Sequence, residues 1–248
     1  MTKNGWILFS IMCAALLGGL VFISQREKAD VSGIDVSKVQ GATVESGNIA
    51  DHTYGNMTSK VVLIEYGDFQ CPGCGSAHPV VKKIIEKYKD KMGFVFRNFP
   101  LTTIHPNALA ASAAAEAAGL QGKYWEMHDA LYENQGSWKD LTGQERTDAF
   151  KRYALNVGAN EDTWLKDLDS VAVQKKISFD TALGKKAEVT GTPSFFLNGK
   201  NVGNHDVKDG KLIPSDNDNS TPTVWSNATY FEDLVIKPAL KEAGIAIE

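Results

Sequence analysis

The chain is poor in cysteine, with three in 248 residues, and it has no excess of positive charge, with 26 Lys and Arg against 30 Asp and Glu. Three cysteines cannot build a disulfide scaffold, so a cysteine that matters here is expected to be reactive or metal-binding. A net charge of −4 offers no basic field and argues against nucleic acid as a partner. The hydrophobic fraction of 43% excludes a disordered or collagen-like chain and suffices for a buried core.

Charge is also absent from residues 4–25, and residues 6–23 are almost wholly apolar. A helix rises about 1.5 Å per residue, so this stretch covers a hydrocarbon layer of about 30 Å. We predict a transmembrane anchor over residues 1–24, with 5–24 in the membrane. The alternative is a cleaved secretory signal, whose apolar region is shorter and ends in a small-residue site that is missing here. Cys13 is expected to be an ordinary thiol within this stretch.

Beyond residue 24, the composition and hydrophobic pattern divide the chain into two regions. Residues 25–56 are polar without a sustained period and predict a polar tether. Residues 57–248 predict one folded domain. The β-branched run at 61–64 predicts a buried strand, and a helix should follow the cysteines at 71 and 74.

The order of elements beyond the cysteines predicts the architecture. Expected in turn are a strand at 94–96, a helical block at about 106–189, a strand at 194–197, a loop at 203–222 and a closing helix at 229–243. Strands that flank a helical insertion indicate an α/β fold with a mixed central sheet and an inserted helical subdomain.

The sharpest chemical feature is the run Cys71-Pro72-Gly73-Cys74 between the predicted strand and helix. A helix start offers unpaired amides and a dipole that favours an anion, which stabilises the Cys71 thiolate. The thiolate is the attacking species in disulfide exchange. Pro72 lacks an amide that would be unpaired there anyway, and Gly73 adds no side chain over the sulfurs. We therefore expect Cys71 to be the entry nucleophile and Cys74 the resolving thiol.

These motifs carry a family resemblance. Residues 65–74 (EYGDFQCPGC), 191–199 (GTPSFFLNG) and 98–107 (NFPLTTIHPN) together resemble the DsbA-like thiol-disulfide oxidoreductases of the thioredoxin superfamily. The resemblance covers about residues 58 to 245 and implies a thioredoxin-like fold. It also implies a cis peptide bond at Thr192-Pro193, although base rates alone favour trans. In such folds Pro193 lies against the cysteine pair, and the backbone at Thr192 can pair with an extended substrate.

Glu65 matches the buried acid beneath the active site of thioredoxin-like proteins, where burial would raise its pKa and let it exchange a proton with Cys74. The alternative is a solvated carboxylate at the end of a strand. The Pro72-Gly73 dipeptide departs from the Pro-His of the best-known DsbA, and this departure leaves the redox potential open.

The resemblance implies a membrane-anchored enzyme that introduces disulfides into exported proteins. Its redox-active Cys71–Cys74 disulfide would serve without any further cofactor, and a membrane oxidase would regenerate that disulfide. We expect a monomer in the cell membrane with a single span and the catalytic domain on the extracytoplasmic side, where disulfides persist.

Three alternative functions stay open. A reductase or isomerase would have the same fold, because direction depends on the redox potential. A metal-binding module could use Cys71, Cys74 and His78, although a structural zinc site normally needs four ligands, so no metal is expected. A noncatalytic scaffold is a third alternative. His105, His128 and His205 have no partner that the sequence identifies.

Overall fold

A computed structural model describes residues 29–215 and 221–247. The described strands are β1 (His52–Gly55), β2 (Val62–Gly67), β3 (Gly93–Asn98), β4 (Ser194–Leu197), β5 (Lys200–Asn201), β6 (His205–Lys208) and β7 (Lys211–Pro214). The first helices are α1 (Pro72–Lys87), α2 (Ala108–Gly119), α3 (Tyr124–Glu133) and α4 (Gln135–Trp138). They are followed by α5 (Gly143–Asn156), α6 (Glu161–Leu168), α7 (Val171–Lys186), α8 (Ala228–Phe231) and α9 (Lys237–Glu242).

The central sheet is mixed, as the sequence predicts. Its strand order is β1-β3-β2-β4-β5, in which β2 pairs parallel with β3 and antiparallel with β4. The helices α2 to α7 lie between β3 and β4 along the chain, which confirms the predicted helical block. Strand β2 therefore occupies the centre of the sheet, and the loop after it leads directly into α1.

Alternation along β2 divides the interior into two cores. Leu63 packs with α1 and the helical block, whereas Ile64 and Tyr66 pack on the opposite face against α7. Side chains of a strand point to opposite faces in turn, so Glu65 shares the face of Leu63. The sheet therefore directs the Glu65 carboxyl toward the layer that contains α1 and its cysteines.

The amino-terminal part of the described chain differs from the predicted tether over 25–56. Residues 52–55 form the edge strand β1, paired antiparallel with β3. The segment before it is fastened by side chains of the domain: Arg97 donates to the carbonyl oxygens of Val36 and Lys38 over 2.7 and 2.6 Å. Lys186 donates to three more carbonyls of this segment. One buried and one exposed cation thus hold, through backbone oxygens, a polar segment that has no periodic pattern of its own.

Two other predictions change in detail. The expected loop at 203–222 contains the hairpin of β6 and β7, closed by Asp209 and Gly210 with positive φ angles of 49° and 70°. The closing helix is interrupted by a π-helical turn over Glu232–Ile236 just before Pro238, which has no amide to continue the regular ladder.

The predicted anchor over residues 1–24, including Cys13, lies outside the described residues. Within 29–215 and 221–247, no helix combines the length and the apolar character that a bilayer crossing needs.

Candidate active site

Cys71 and Cys74 lie at the start of α1. Cys71 is the residue immediately before the helix, and Pro72 takes its first position, where a missing amide costs nothing. The Gly75 amide donates to the Cys71 carbonyl oxygen over 3.0 Å, which closes the first turn. Cys71 is 8% exposed and Cys74 is 0% exposed. Cys71 thus keeps a small exposed fraction, whereas Cys74 has none.

The loop before β4 lies across this helix start. The Thr192-Pro193 peptide bond is cis, as the sequence predicts. The Cys71 thiol donates to the Thr192 carbonyl oxygen over 3.3 Å. A Cβ atom at Gly73 would lie 3.3 Å from Pro193 Cδ and 3.6 Å from Cys71 Sγ. The loop at Thr192-Pro193 thus packs against the start of α1 at Cys71 and Gly73. The absence of a side chain at position 73 lets the proline ring approach the sulfurs.

The two thiols have opposite acidities. Hydrogen bonds from the Cys74 thiol and from the backbone amides of Cys74 and Gly73 outweigh burial and lower the pKa of Cys71 to about 5. Burial, together with the nearby Cys71 sulfur and Glu65, holds the pKa of Cys74 well above its ordinary value. At neutral pH Cys71 is therefore a thiolate and Cys74 is a thiol.

Glu65 lies beneath the pair and is 4% exposed. Burial, with a smaller contribution from the negative charge of Cys71, raises the pKa of Glu65 to about 8. Its charge in turn contributes to the raised pKa of Cys74. The carboxyl can therefore be protonated at neutral pH and exchange a proton with Cys74, rather than being a solvated carboxylate.

The raised pKa of Glu65 makes a prediction about stability. The unfolded chain ionises this carboxyl above pH about 4.5, whereas the folded chain ionises it only above about 8, so the group costs stability as pH rises between these values. We expect Glu65→Gln to raise the free energy of unfolding by about 2–3 kcal/mol at pH 7 and to change little at pH 4. Urea denaturation at both pH values measures this.

The matched control is Glu86→Gln, an exposed position on α1. It should change the free energy of unfolding by less than about 0.5 kcal/mol at either pH. A Glu65→Gln protein that is less stable than the unmodified chain at pH 7 would contradict the assignment of a neutral buried carboxyl.

A buried aspartate shapes the loop between β2 and α1. Asp68, 0% exposed, accepts hydrogen bonds from the Gln70 and Leu101 amides over 2.7 and 2.8 Å. His105 Nδ1 lies 2.7 Å from Asp68 Oδ2. The sequence identified no partner for His105, because 37 residues separate this pair. Asp68 thus joins the cysteine loop to the segment that leads into α2.

The helical block also holds the cysteine loop. Gln135 in α4 donates from Nε2 to the carbonyl oxygens of Phe69 and Cys71 over 2.7 and 2.9 Å. Gln70 donates to the Lys139 carbonyl oxygen and accepts from the Asn107 amide. Sequence reasoning missed these positioning residues, because glutamine side chains carry no motif of their own.

The metal alternative based on Cys71, Cys74 and His78 does not have the predicted grouping. In the described part of the chain, His78 lies with His128 and Asp129, with ligand-type atoms within 4.8 Å of one another. His128 Nδ1 is 3.0 Å from Asp129 Oδ1. His78 thus packs against side chains of α3, and in the described residues it does not form a metal-type group with the two sulfurs.

Comparisons with known proteins agree with this geometry. The thioredoxin family matches residues 47–213. The structure of alpha-DsbA1 from Wolbachia pipientis is 25% identical, covers 78% of this chain and 92% of that chain, and has a TM-score of 0.58. The MdbA protein of Corynebacterium diphtheriae, a thiol-disulfide oxidoreductase, is 24% identical, covers 68% of this chain and 90% of that chain, and has a TM-score of 0.55, which supports the fold.

The curated relatives are longer proteins. The Na(+)/H(+) antiporter NhaA 1 of Salinispora arenicola is 38% identical over 152 residues, which are 60% of this chain and 22% of that protein. The chain thus spans about a fifth of the length of the curated relatives it matches.

The predicted cell-membrane location needs correction. The described residues contain no helix able to span a membrane, and the antiporters match over less than a quarter of their length. These findings do not support a single-pass membrane protein with an extracytoplasmic catalytic domain, so we withdraw that prediction.

The match to the thioredoxin family extends from before β1 to within β7 and includes the cysteine pair, Glu65 and the cis proline. The chain belongs to the thioredoxin family, and its fold is similar to that of a DsbA protein.

Proposed function

We propose that the protein introduces disulfides into exported polypeptides by exchange at Cys71 and Cys74. A substrate thiolate attacks Cys71 Sγ of the oxidised pair, a mixed disulfide forms, and Cys74 leaves and takes up a proton. A second substrate thiolate then displaces Cys71, so the substrate loses two electrons and the pair gains them. The two sulfurs carry these electrons without a bound cofactor.

The observation that carries this proposal is the difference between the two thiols at the start of α1. Cys71 is 8% exposed and has a pKa of about 5, whereas Cys74 is fully buried. A low pKa makes Cys71 a good leaving group and stabilises the reduced form, which makes the oxidised form a strong oxidant. This favours disulfide donation over the reductase and isomerase alternatives.

The substrate should bind beside the cis proline. The backbone at Thr192 lies next to the Cys71 sulfur and at the start of β4, so an extended polypeptide could pair with it as an added strand. We propose that Thr192 and Pro193 hold the substrate there, and that a separate oxidase restores the disulfide after each transfer.

The experiment that tests the direction of transfer is equilibration of the full chain with glutathione buffers. We expect a reduction potential less negative than about −200 mV, in the range of proteins that donate disulfides. A potential near about −270 mV, typical of a reducing thioredoxin, would contradict disulfide donation while leaving thiol exchange intact.

A further inference from the structure

A small cavity is lined in part by Glu65. It has a volume of about 10 Å³ and lies between β2, α1 and α3. Its polar lining consists of Glu65, His78, Lys82, His128, Asp129 and Tyr132. A space of roughly 10–15 Å³ can hold one water molecule when polar partners surround it.

Three buried polar atoms of this lining have no hydrogen-bond partner within the described residues. They are Nε2 of His78, Nε2 of His128 and the hydroxyl of Tyr132. The residues are 8%, 4% and 5% exposed. Their rings lie close together, with centroids 5.5 Å apart for the two histidines and 5.1 Å apart for His78 and Tyr132. Buried polar atoms require partners, and one water among the three rings would supply them.

The outer end of the cluster reaches the surface through carboxylates. Asp129 Oδ1 lies 3.0 Å from His128 Nδ1 and 3.9 Å from His78 Nε2. Glu133 Oε1 lies 4.0 Å from His78 Nε2. The side chains of Asp129 and Glu133 are 30% and 54% exposed. Glu65 and the two histidines thus line one cavity, and the histidines lie beside carboxylates that reach solvent.

Disulfide exchange requires such a route. When Cys74 resolves a mixed disulfide, its S–H bond breaks, the proton goes to a Glu65 carboxylate oxygen, and the sulfur bonds to Cys71 Sγ while the other thiolate leaves. Glu65 must already have released its own proton, yet it is 4% exposed. In the opposite direction, Glu65 protonates the leaving Cys74 and must then be reprotonated.

We propose that His78 and His128, with one water molecule between them, relay protons between Glu65 and the carboxylates of Asp129 and Glu133. The proposal rests on the proposed function, because only exchange through Cys74 requires this transfer. The two histidines act through Glu65 and touch neither sulfur in the step, so they are positioning and relay residues.

The charge state of the histidines suits this role. Burial, followed by the nearby His128, lowers the pKa of His78 to about 4, and burial also lowers the pKa of His128. Neutral imidazoles can accept a proton at one nitrogen and release it again without trapping it. The titratable groups that face the cluster are Glu65, Cys74, Lys82, His52, Tyr124, Tyr132, Asp129 and Glu133.

The test separates the two sulfurs kinetically. The reduced full chain, with Cys13→Ser to leave only the pair, reacts with an aromatic disulfide (DTNB) that releases one coloured thiolate when Cys71 attacks and a second when Cys74 resolves. We expect His78→Gln to slow the second release about tenfold or more at pH 6–8 and to leave the first unchanged. The unchanged first phase also shows that the variant is folded.

The matched control is His205→Gln, in β6 outside the cluster, which should change neither phase. Unchanged second phases in both His78→Gln and the double variant His78→Gln/His128→Gln would overturn the relay. No first phase in the unmodified protein would instead contradict the proposed function.

A measurement without substitution covers the case in which the variants do not fold. Transfer through a water and an imidazole moves several protons. In mixtures of light and heavy water, a plot of the second-phase rate against the fraction of heavy water should therefore be curved. A straight plot, the result for a single proton in flight, would overturn the relay.

Discussion

Replacing Cys74 by serine is expected to let the protein begin thiol-disulfide exchange and prevent it from finishing. Cys71 keeps its position before α1, its contact with the Thr192 carbonyl oxygen, and the amides of its helix start. Its thiolate therefore still attacks a disulfide, but no second thiol can release the product. Mixed disulfides with substrate polypeptides should accumulate and appear on non-reducing gels.

The companion substitution Cys71→Ser is expected to lower the rate of disulfide transfer by more than about a thousandfold, because the disulfide that the substrate thiolate attacks can no longer form. The remaining thiol, Cys74, is buried and has a raised pKa. Oxidation of a reduced model polypeptide measures the loss. If Cys71→Ser retained activity while Cys74→Ser lost it without trapping a substrate, the roles of the two cysteines would be reversed.

Much of this site could be predicted from local sequence. The cysteine pair follows a strand of β-branched residues, and alternation along that strand sets which face Glu65 occupies. The cis bond at Thr192-Pro193 follows from the resemblance, because base rates for an isolated X-Pro bond favour trans. These features share one property: each depends on neighbours within a few positions or on a motif.

The partners that complete the site could not be predicted in the same way. His105 meets Asp68 across 37 residues, and Gln135 meets the Cys71 carbonyl across 64. His78 and His128 come together only because α1 and α3 pack against each other. Local patterns say which face of a helix is buried, but they do not say which helix covers that face.

The same reason explains why residues 51–55 belong to the folded domain, although the sequence predicts a tether there. Asp51, just before β1, pairs with Arg97 over 2.8 Å and with Lys176 over 3.3 Å, and the side chains in both pairs are 0% exposed. These partners are 46 and 125 residues away. A polar residue in an aperiodic segment looks solvated until its partners are known, and here they make it part of the interior.

Removal of the Asp51 carboxylate is therefore expected to destabilise the protein strongly. The positive charges of Lys176 and Arg97 overcome burial and lower the pKa of Asp51, so the carboxylate is ionised between two buried cations. Asp51→Ala would leave both cations without this partner, at a cost of about 3–5 kcal/mol. For a chain of this size the melting temperature should fall by roughly 6–20 °C. The control is Glu126→Ala, which breaks a half-exposed pair with Lys123 at 3.5 Å and should cost less than about 1 kcal/mol.

The pH dependence distinguishes this ion network from a simple loss of packing. Because the pKa of Asp51 is lowered on folding, its stabilisation is present above the unfolded value of about 3.9 and is lost as pH falls through the folded value. The unmodified protein and Asp51→Asn should therefore differ in free energy of unfolding at pH 6 and converge in strong acid. A constant difference at every pH would assign the loss to the shape of the side chain. Convergence of the two free energies would show that the charge of Asp51, paired with Arg97 and Lys176, holds the first described segment on the domain that carries the cysteines. No local sequence pattern indicates these pairs.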